Sequence, residues 1–263
     1  MLIKVTNKCS RGCSHCMEGS TKAEPHMTKQ TFAKALDFTE HVESMARAIG
    51  YRFLLMSGGE CTEHPEILDF IGMVEARGLT PWIITNGMWI ERDEHLTKEI
   101  LRPKRKLLVQ VTYDRRFYPS PAPKRVVDKR VVYVSELSAT IPVGRFEGKR
   151  HSDLPERRYP ASFNLRSITR SLGDVRQAIM RMRANVLSGG MSGHCAPSIS
   201  HDGTFVAGEN VGCWKIGTVD STHEEITQNL LDMRECNRCT LEKNVDQTQR
   251  RAIGLSRLFV PGE

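Results

Sequence analysis

Cys9-Ser10-Arg11-Gly12-Cys13-Ser14-His15-Cys16 places three thiols within eight residues, at spacings of four and three. One loop can wrap them onto a single inorganic centre, and they are too crowded for disulfides to be the natural outcome. The stretch therefore reads as a metal or iron–sulfur site. Three ligands would leave one iron of a four-iron cube free of protein and open to a chelating ligand from outside. Taken alone, the same cysteines also fit part of a zinc site.

The surrounding chain supplies the context. Leu2-Ile3-Lys4-Val5-Thr6 alternates as a short strand and delivers the cysteine loop at its carboxyl end, where α/β folds carry their chemistry. Arg52 to Met56 is a mostly apolar run, as expected of a buried parallel strand, and it ends in Ser57-Gly58-Gly59-Glu60. A CxxxCxxC loop after a first strand, followed by Gly-Gly-Glu at the end of a second, resembles the radical S-adenosylmethionine (radical SAM) superfamily.

That resemblance implies a [4Fe-4S] cluster on Cys9, Cys13 and Cys16. It also implies S-adenosylmethionine bound to the fourth iron through its amino and carboxylate groups, with one electron cleaving it to methionine and a 5′-deoxyadenosyl radical. Glu60 is then expected to accept a charge-assisted hydrogen bond from the methionyl ammonium, with Ser57, Gly58 and Gly59 letting backbone approach that group. Asn86, Thr112 and Asp114 fall at the ends of the third and fourth strands, where members of the superfamily contact the ribose or the methionyl carboxylate. An equal reading of Asn86 is a residue that tolerates a left-handed turn before Gly87. Pro142-Val143-Gly144-Arg145 resembles a P-x-G-R segment of SPASM-type members, which gives Arg145 either a cofactor carboxylate, a substrate anion or a place among surface charges. His15 replaces the aromatic residue usual before the third cysteine and can stack in its place. Cys61, where proline commonly follows Gly-Gly-Glu, reads as a buried free thiol. No general base is singled out by the sequence.

Taken in order, Thr28 caps an expected helix reaching about Ile49, with Phe32, Ala35, Leu36, Val42, Met45, Ala46 and Ile49 on one face and Gly50 beyond it. His64-Pro65 is expected to open the next helix, proline at its first position, and Gly78 to close it. Thr80 to Thr85 reads as a third strand with Asn86-Gly87 as its turn, residues 93 to 101 as a helix, Lys106 to Asp114 as a fourth strand and Arg130 to Ser135 as a fifth. Short connections and the βα alternation argue an α/β fold with a parallel sheet, which the resemblance curves into an open partial barrel. Between Ser138 and Ser167 the pattern weakens into a loop-rich crossover. A helix over about residues 172 to 184 follows, with Val175, Ala178, Ile179 and Met182 on one stripe.

Composition changes near residue 190, which sets expected domains of 1–189 and 190–263. Pro197 to Ser200 and Thr204 to Val206 flank Asp202-Gly203 as a hairpin, and Thr222-His223-Glu224-Glu225 is a capping box opening a helix. Cys195, Cys213, Cys236 and Cys239 make a second set of four thiols, and four cysteines accept zinc or a four-iron cluster alike. The eighteen-residue step from Cys195 to Cys213 and the terminal Cys-x-x-Cys resemble the SPASM/Twitch extension of radical SAM enzymes in its one-cluster form, including a compact dehydrogenase of that group. The resemblance implies a second, auxiliary [4Fe-4S] cluster, with structural zinc as the alternative.

Composition narrows the remaining classes. The chain has 263 residues, 39% of them hydrophobic, enough for a sizeable core. No apolar run approaches the ~20 residues of a membrane span. The start of the chain passes straight into a strand without signal-peptide features, so a reducing cytoplasmic location and thiol or ligand cysteines are expected. A net charge of +7 suits an acidic partner, yet no RNA-binding or helix-turn-helix signature accompanies the basic residues, and nucleic acid is not indicated. Three functions compete: a dehydrogenase whose auxiliary cluster accepts the second electron, a peptide-modifying radical enzyme, and a non-catalytic iron–sulfur or zinc protein. The intact Gly-Gly-Glu argues against the last, and only eight residues before Cys9 argue against a leader-recognition domain of the second. The expected partners are a small-molecule or peptide substrate and a flavodoxin- or ferredoxin-type electron donor, with no membrane.

Overall fold

The computed structural model describes residues 1–23, 25–134, 145, 165–187, 197–208 and 213–233. Alternating apolar residues close each strand against helices on one side. Strands β1 (Leu2–Thr6), β2 (Phe53–Gly58), β3 (Thr80–Thr85), β4 (Leu108–Thr112) and β5 (Val131–Val134) pair in parallel in the order β5-β4-β3-β2-β1. Beyond β1 the sheet continues through β6 (Ser198–Ile199), β7 (Thr204–Val206) and β8 (Lys215–Thr218). The described sheet thus has two free edges, β5 and β8, and is open.

The two faces of this sheet differ in a way that places the chemistry. One row, including Ile3, Val5, Leu54, Met56, Ile83, Val109 and Val111, has almost no exposure and packs against the helices. In parallel strands, residues in register share a face. The pairs Lys4 with Ser57, Leu55 with Trp82, Ile84 with Gln110 and Thr112 with Val134 therefore form the other, inner row. Those residues are half-buried except Lys4, which is buried and reaches Glu18 at 2.7 Å. The inner face is the one the cysteine loop overhangs.

Helices α1 (Lys29–Val42), α2 (Ser44–Ala48), α3 (Ile67–Ala76), α4 (Trp89–Arg92) and α5 (Glu94–Ile100) cover the outer row. Thr28 caps α1 as expected, its side chain accepting from Thr31 N–H. Phe32 of α1 and Phe70 of α3 stack with ring centroids 4.1 Å apart, which locks the two helices over β1 and β2. The single helix expected to reach Ile49 is instead broken at Glu43. Its carboxylate is drawn into the interior to meet Arg183 at 3.1 Å, and the turn this requires restarts the helix as α2 with Ile49 exposed. Pro65 does not open α3 either. The His64 ring accepts Glu66 N–H at 3.0 Å and satisfies a donor the helix would have left free, so the helix begins at Ile67.

The carboxyl half adds α6 (Leu165–Leu172), α7 (Val175–Leu187) and α8 (His223–Asp232). Val175, Ala178, Ile179 and Met182 of α7 are buried on the stripe their spacing sets, against α2, α6 and α8. α6 begins inside the expected crossover, the rest of which, Arg145 apart, lies outside the described residues. The hairpin forms as β6 and β7 around Asp202-Gly203, where Gly203 takes a φ of +83°. Its first strand pairs in parallel with β1, through Leu2 with Ser198 and Ile3 with Ile199, so the hairpin extends the sheet. The capping box at Thr222 and Glu225 is formed in both directions. No helix among the described residues is long and apolar enough to cross a membrane.

Candidate functional site

The cysteine loop leaves β1 at its carboxyl end and is tied down from three directions. Cys9 N–H donates to Thr21 O at 2.8 Å, and Gly12 turns the chain with a φ of +69°. From the β2 side, Glu63 accepts from Ser10 Oγ at 2.6 Å and from Ser10 N–H at 3.0 Å. From the β4 side, Ser14 N–H donates to Phe117 O at 3.0 Å, while the Arg11 guanidinium donates to Pro119 O and Pro121 O at 2.7 and 2.6 Å. Arg145 closes the third side, its N–H on Cys16 O at 2.9 Å and its guanidinium on Cys13 O at 3.2 Å. Arg145 is thereby brought to the loop and is no isolated surface charge.

The three thiols face one region. Burial pushes the Cys9 and Cys13 thiols up to about 11 and about 12, and Cys9 and Cys16 both act on Cys13 through space. Burial disfavours the thiolates unless a cationic centre replaces their protons, and three cysteines on one loop are a donor set that fits an iron–sulfur cluster in that role. Among the described residues no three His, Cys, Asp or Glu side chains converge tightly enough for a single metal ion.

The Gly-Gly-Glu segment explains itself by contact with β1. Gly59 N–H donates to Thr6 O and Glu60 N–H to Lys8 O, both at 2.8 Å, so the end of β2 lies directly against the start of the loop. A Cβ at Gly58 would lie 2.1 Å from Thr6 O, and one at Gly59 would lie 2.3 Å from Lys8 O. The glycines therefore serve first the approach of two backbones within the chain. Glu60 is buried, and its carboxylate accepts from Thr62 Oγ1 at 2.6 Å, Thr62 N–H at 3.1 Å, Thr85 Oγ1 at 2.7 Å and Asn86 N–H at 2.6 Å. Burial raises its pKa, and these donors work against that shift. The side chain is a clasp between the carboxyl ends of β2 and β3.

Glu60→Ala should consequently cost stability as well as function. It leaves the Thr85 hydroxyl and the Asn86 N–H buried without an acceptor, at about 1–3 kcal/mol per orphaned group. Thermal melts of the full chain should show a clear drop, whereas a melt superimposable on the parent would remove the clasp.

Asn86 has a double task. Its Oδ1 accepts Met88 N–H at 3.0 Å, and its Nδ2 points at Cys9 Sγ, 4.0 Å away. The left-handed conformation belongs to Gly87, with a φ of +77°, and not to Asn86. Thr112 donates to Thr85 O at 3.3 Å and accepts from Tyr118 OH at 3.1 Å, which brings the ends of β3 and β4 together below the cysteine loop. Asp114 is buried and accepts from Arg116 Nε at 2.9 Å. Ser57 lies on the inner row beside Lys4. His15 packs against Phe117 and Tyr118 with both centroid distances at 4.9 Å, and burial lowers its pKa to about 4, so the ring is neutral at pH 7. Cys61 is fully buried with its thiol on Ile84 O, as expected of a small apolar residue.

Sequence reasoning missed Thr62, Thr85, Arg11 and the Phe117–Tyr118 strap. Of these, only Thr85 had a signal that could have found it, its place at the end of the expected third strand. Of the second cysteine set, Cys195, Cys236 and Cys239 lie outside the described residues. Cys213 is half-buried at the entry to β8, beside Trp214, whose carbonyl accepts Ala207 N–H at 2.9 Å.

An open, mostly parallel α/β sheet carrying three thiols on the loop after its first strand defines the class of site. Residues 3–109, the part that holds this loop and the Gly-Gly-Glu clasp, match the Radical SAM superfamily. Among solved structures, BtrN in complex with AdoMet and 2-DOIA is similar at a TM-score of 0.48 and 14% identity, over 88% of this chain and 81% of that one. Streptococcus suis SuiB bound to S-adenosylmethionine is similar at a TM-score of 0.46 and 12% identity, over 86% of this chain and 64% of that one. SuiB bound to the precursor peptide SuiA gives 0.41 and 12%, over 88% and 64%. No curated protein matches the sequence.

Proposed function

We propose that the chain is a radical SAM enzyme that oxidises its substrate by dehydrogenation, with Cys9, Cys13 and Cys16 holding the catalytic [4Fe-4S] cluster. The observation that carries the reading is the joining of the three-cysteine loop to the Gly-Gly-Glu turn through Gly59 and Glu60 N–H and the Ser10–Glu63 contacts. Such a cluster, with S-adenosylmethionine on its open iron, supplies reductive cleavage to a 5′-deoxyadenosyl radical that takes hydrogen from the substrate.

The residues of the chain prepare that event. Asn86 Nδ2 covers the Cys9 thiol, His15 anchors the loop on Phe117 and Tyr118, and Arg145 fixes the carbonyls of Cys13 and Cys16 so that the loop keeps its turns. The Glu60 carboxylate, which ties the ends of β2 and β3 together, is assigned to accept the methionyl ammonium. Thr112 and Asp114 border the same end of the sheet and are assigned to the ribose and methionyl carboxylate region. The inner row, with half-buried Ser57 and Gln110 beside buried Lys4, is the surface on which a substrate would lie.

Cys195, Cys213, Cys236 and Cys239 are assigned to an auxiliary [4Fe-4S] cluster, which accepts the second electron of a dehydrogenation. The position of Cys213 at the entry to β8, the edge strand of the same sheet, supports this reading, because it sets one member of the second cysteine set on that scaffold. A flavodoxin- or ferredoxin-type donor would supply the first electron. Peptide modification remains the second reading. Reduced, anaerobic protein should convert S-adenosylmethionine to 5′-deoxyadenosine and methionine without added substrate. Cys236→Ala/Cys239→Ala should retain that activity while losing most oxidised product, with circular dichroism confirming the fold. Normal product formation by a well-folded variant would make the second site structural and remove the dehydrogenation reading.

A further inference from the structure

A cavity of about 710 Å³ opens at the carboxyl ends of β4 and β5, and its wall carries Arg115, Arg116, Arg125, Tyr113, Asp114 and Tyr133. In open α/β sheets the crevice outside the carboxyl strand ends is where ligands bind. The charge balance of this rim is lopsided. Residues 113–130 contain six lysines and arginines against two carboxylates, Asp114 and Asp128. Both carboxylates are already engaged: Asp114 accepts from Arg116 Nε at 2.9 Å, and Asp128 accepts from Arg130 Nε at 2.9 Å. Arg125 lies over the Tyr133 ring, 5.3 Å from its centroid, and is exposed, as is Arg115. The Tyr133 hydroxyl is itself fixed by Val126 N–H at 2.8 Å, which holds the ring beneath that guanidinium. Two cations thus reach the cavity with no carboxylate of the described chain left to neutralise them.

The same loop connects the cavity to the reaction centre. Asp114 and Arg116 border it, and the next residue, Phe117, accepts Ser14 N–H of the cysteine loop. Val111 and Tyr133, which share the outer row, line the cavity, so a substrate anchored there by one group would reach the inner face over the carboxyl ends of the strands.

We infer that this cavity binds an anionic group of the substrate, a phosphate or a carboxylate, through Arg115 and Arg125. Guanidinium groups grip such planar or tetrahedral oxyanions with paired N–H donors, and two of them lining one cavity fix the orientation of a bound molecule. The inference rests on the radical SAM reading for its relation to chemistry and not for the binding itself. The carboxylate of S-adenosylmethionine shares the chemistry, and the experiment separates the two sources.

The test uses anaerobically reconstituted full-length protein saturated with S-adenosylmethionine and titrated calorimetrically with inorganic phosphate and with citrate. The parent should bind at least one of these probes, and Arg115→Gln/Arg125→Gln should weaken it by about tenfold or more, since each lost contact is a hydrogen bond to a charged group. The affinity for S-adenosylmethionine and the formation of 5′-deoxyadenosine should be unchanged in the double variant. Equal probe binding by parent and variant, or none by the parent, overturns the assignment. Competition between the probes and S-adenosylmethionine, with weaker cofactor binding in the variant, overturns it in favour of the cofactor's own carboxylate. A parent that cleaves no S-adenosylmethionine would refute the radical reading separately, while the probe titration still decides the cavity.

Discussion

Replacing Cys9, Cys13 and Cys16 together by alanine is expected to abolish formation of 5′-deoxyadenosine and to lower the iron content of anaerobically purified protein from ~8 to ~4 per chain. The expectation follows from the way the loop is built. Its backbone is fixed by Thr21, Glu63, Phe117 and Arg145 through contacts that use none of the three sulfurs. Loss of the thiols should therefore remove the cluster while leaving the loop anchored, so the effect falls on chemistry. Circular dichroism of the variant should resemble the parent. Retention of all the iron would place no cluster on this loop, and retention of one zinc with no iron would make the second cysteine set a structural zinc site.

Gly58→Ala is expected to have the largest effect on folding of any single methyl group added to this half of the chain. The new Cβ would lie 2.1 Å from Thr6 O, in a residue with a φ of +143°. Backbone cannot yield there cheaply, because Thr6 O also accepts Gly59 N–H at 2.8 Å and sits at the mouth of the cysteine loop. Overpacking of a site without room costs ~1–3 kcal/mol, and the strained φ adds to it. A melting temperature lower by roughly 5–10 °C is expected at ~2–4 °C per kcal/mol for a chain of this size. By contrast, Gly72→Ala, on α3 with open space around the added methyl, should leave the melt unchanged or raise it slightly. Equal melts for the two variants would show that the β1–β2 approach is looser than described.

How much of this could be read in advance depended on the range over which each feature is encoded. The cysteine loop, the Gly-Gly-Glu turn, the strands β1 to β5 and the caps at Thr28 and Thr222 are local, so a few residues with the right period or side chain announce them. The break at Glu43 was not legible because its carboxylate is drawn inward by the Met1 amino group and Arg183, 42 and 140 positions away. Pairing of β6 with β1 joins segments almost two hundred residues apart and leaves no mark in either, since two-residue strands carry little periodicity of their own. β8 was hidden because Ile216 is the one large apolar residue in Lys215–Thr218, which leaves no alternation to read. At the site, the identity of Glu60 was legible but its partners were not. Thr62, Thr85 and Asn86 N–H come together only after β2 and β3 align. The role read for Gly58 and Gly59 shifted likewise, because the backbone that approaches them most closely is that of β1 and the start of the loop.

The central claim, a three-cysteine cluster with one iron open to S-adenosylmethionine, is tested most directly by electron paramagnetic resonance of the reduced protein with and without S-adenosylmethionine. Cys236→Ala/Cys239→Ala serves to isolate the signal of the loop cluster. The account predicts a reduced [4Fe-4S] signal whose g values shift when S-adenosylmethionine is added, and its absence once Cys9, Cys13 and Cys16 are also replaced. A signal that ignores S-adenosylmethionine, or that survives loss of those three cysteines, would contradict it.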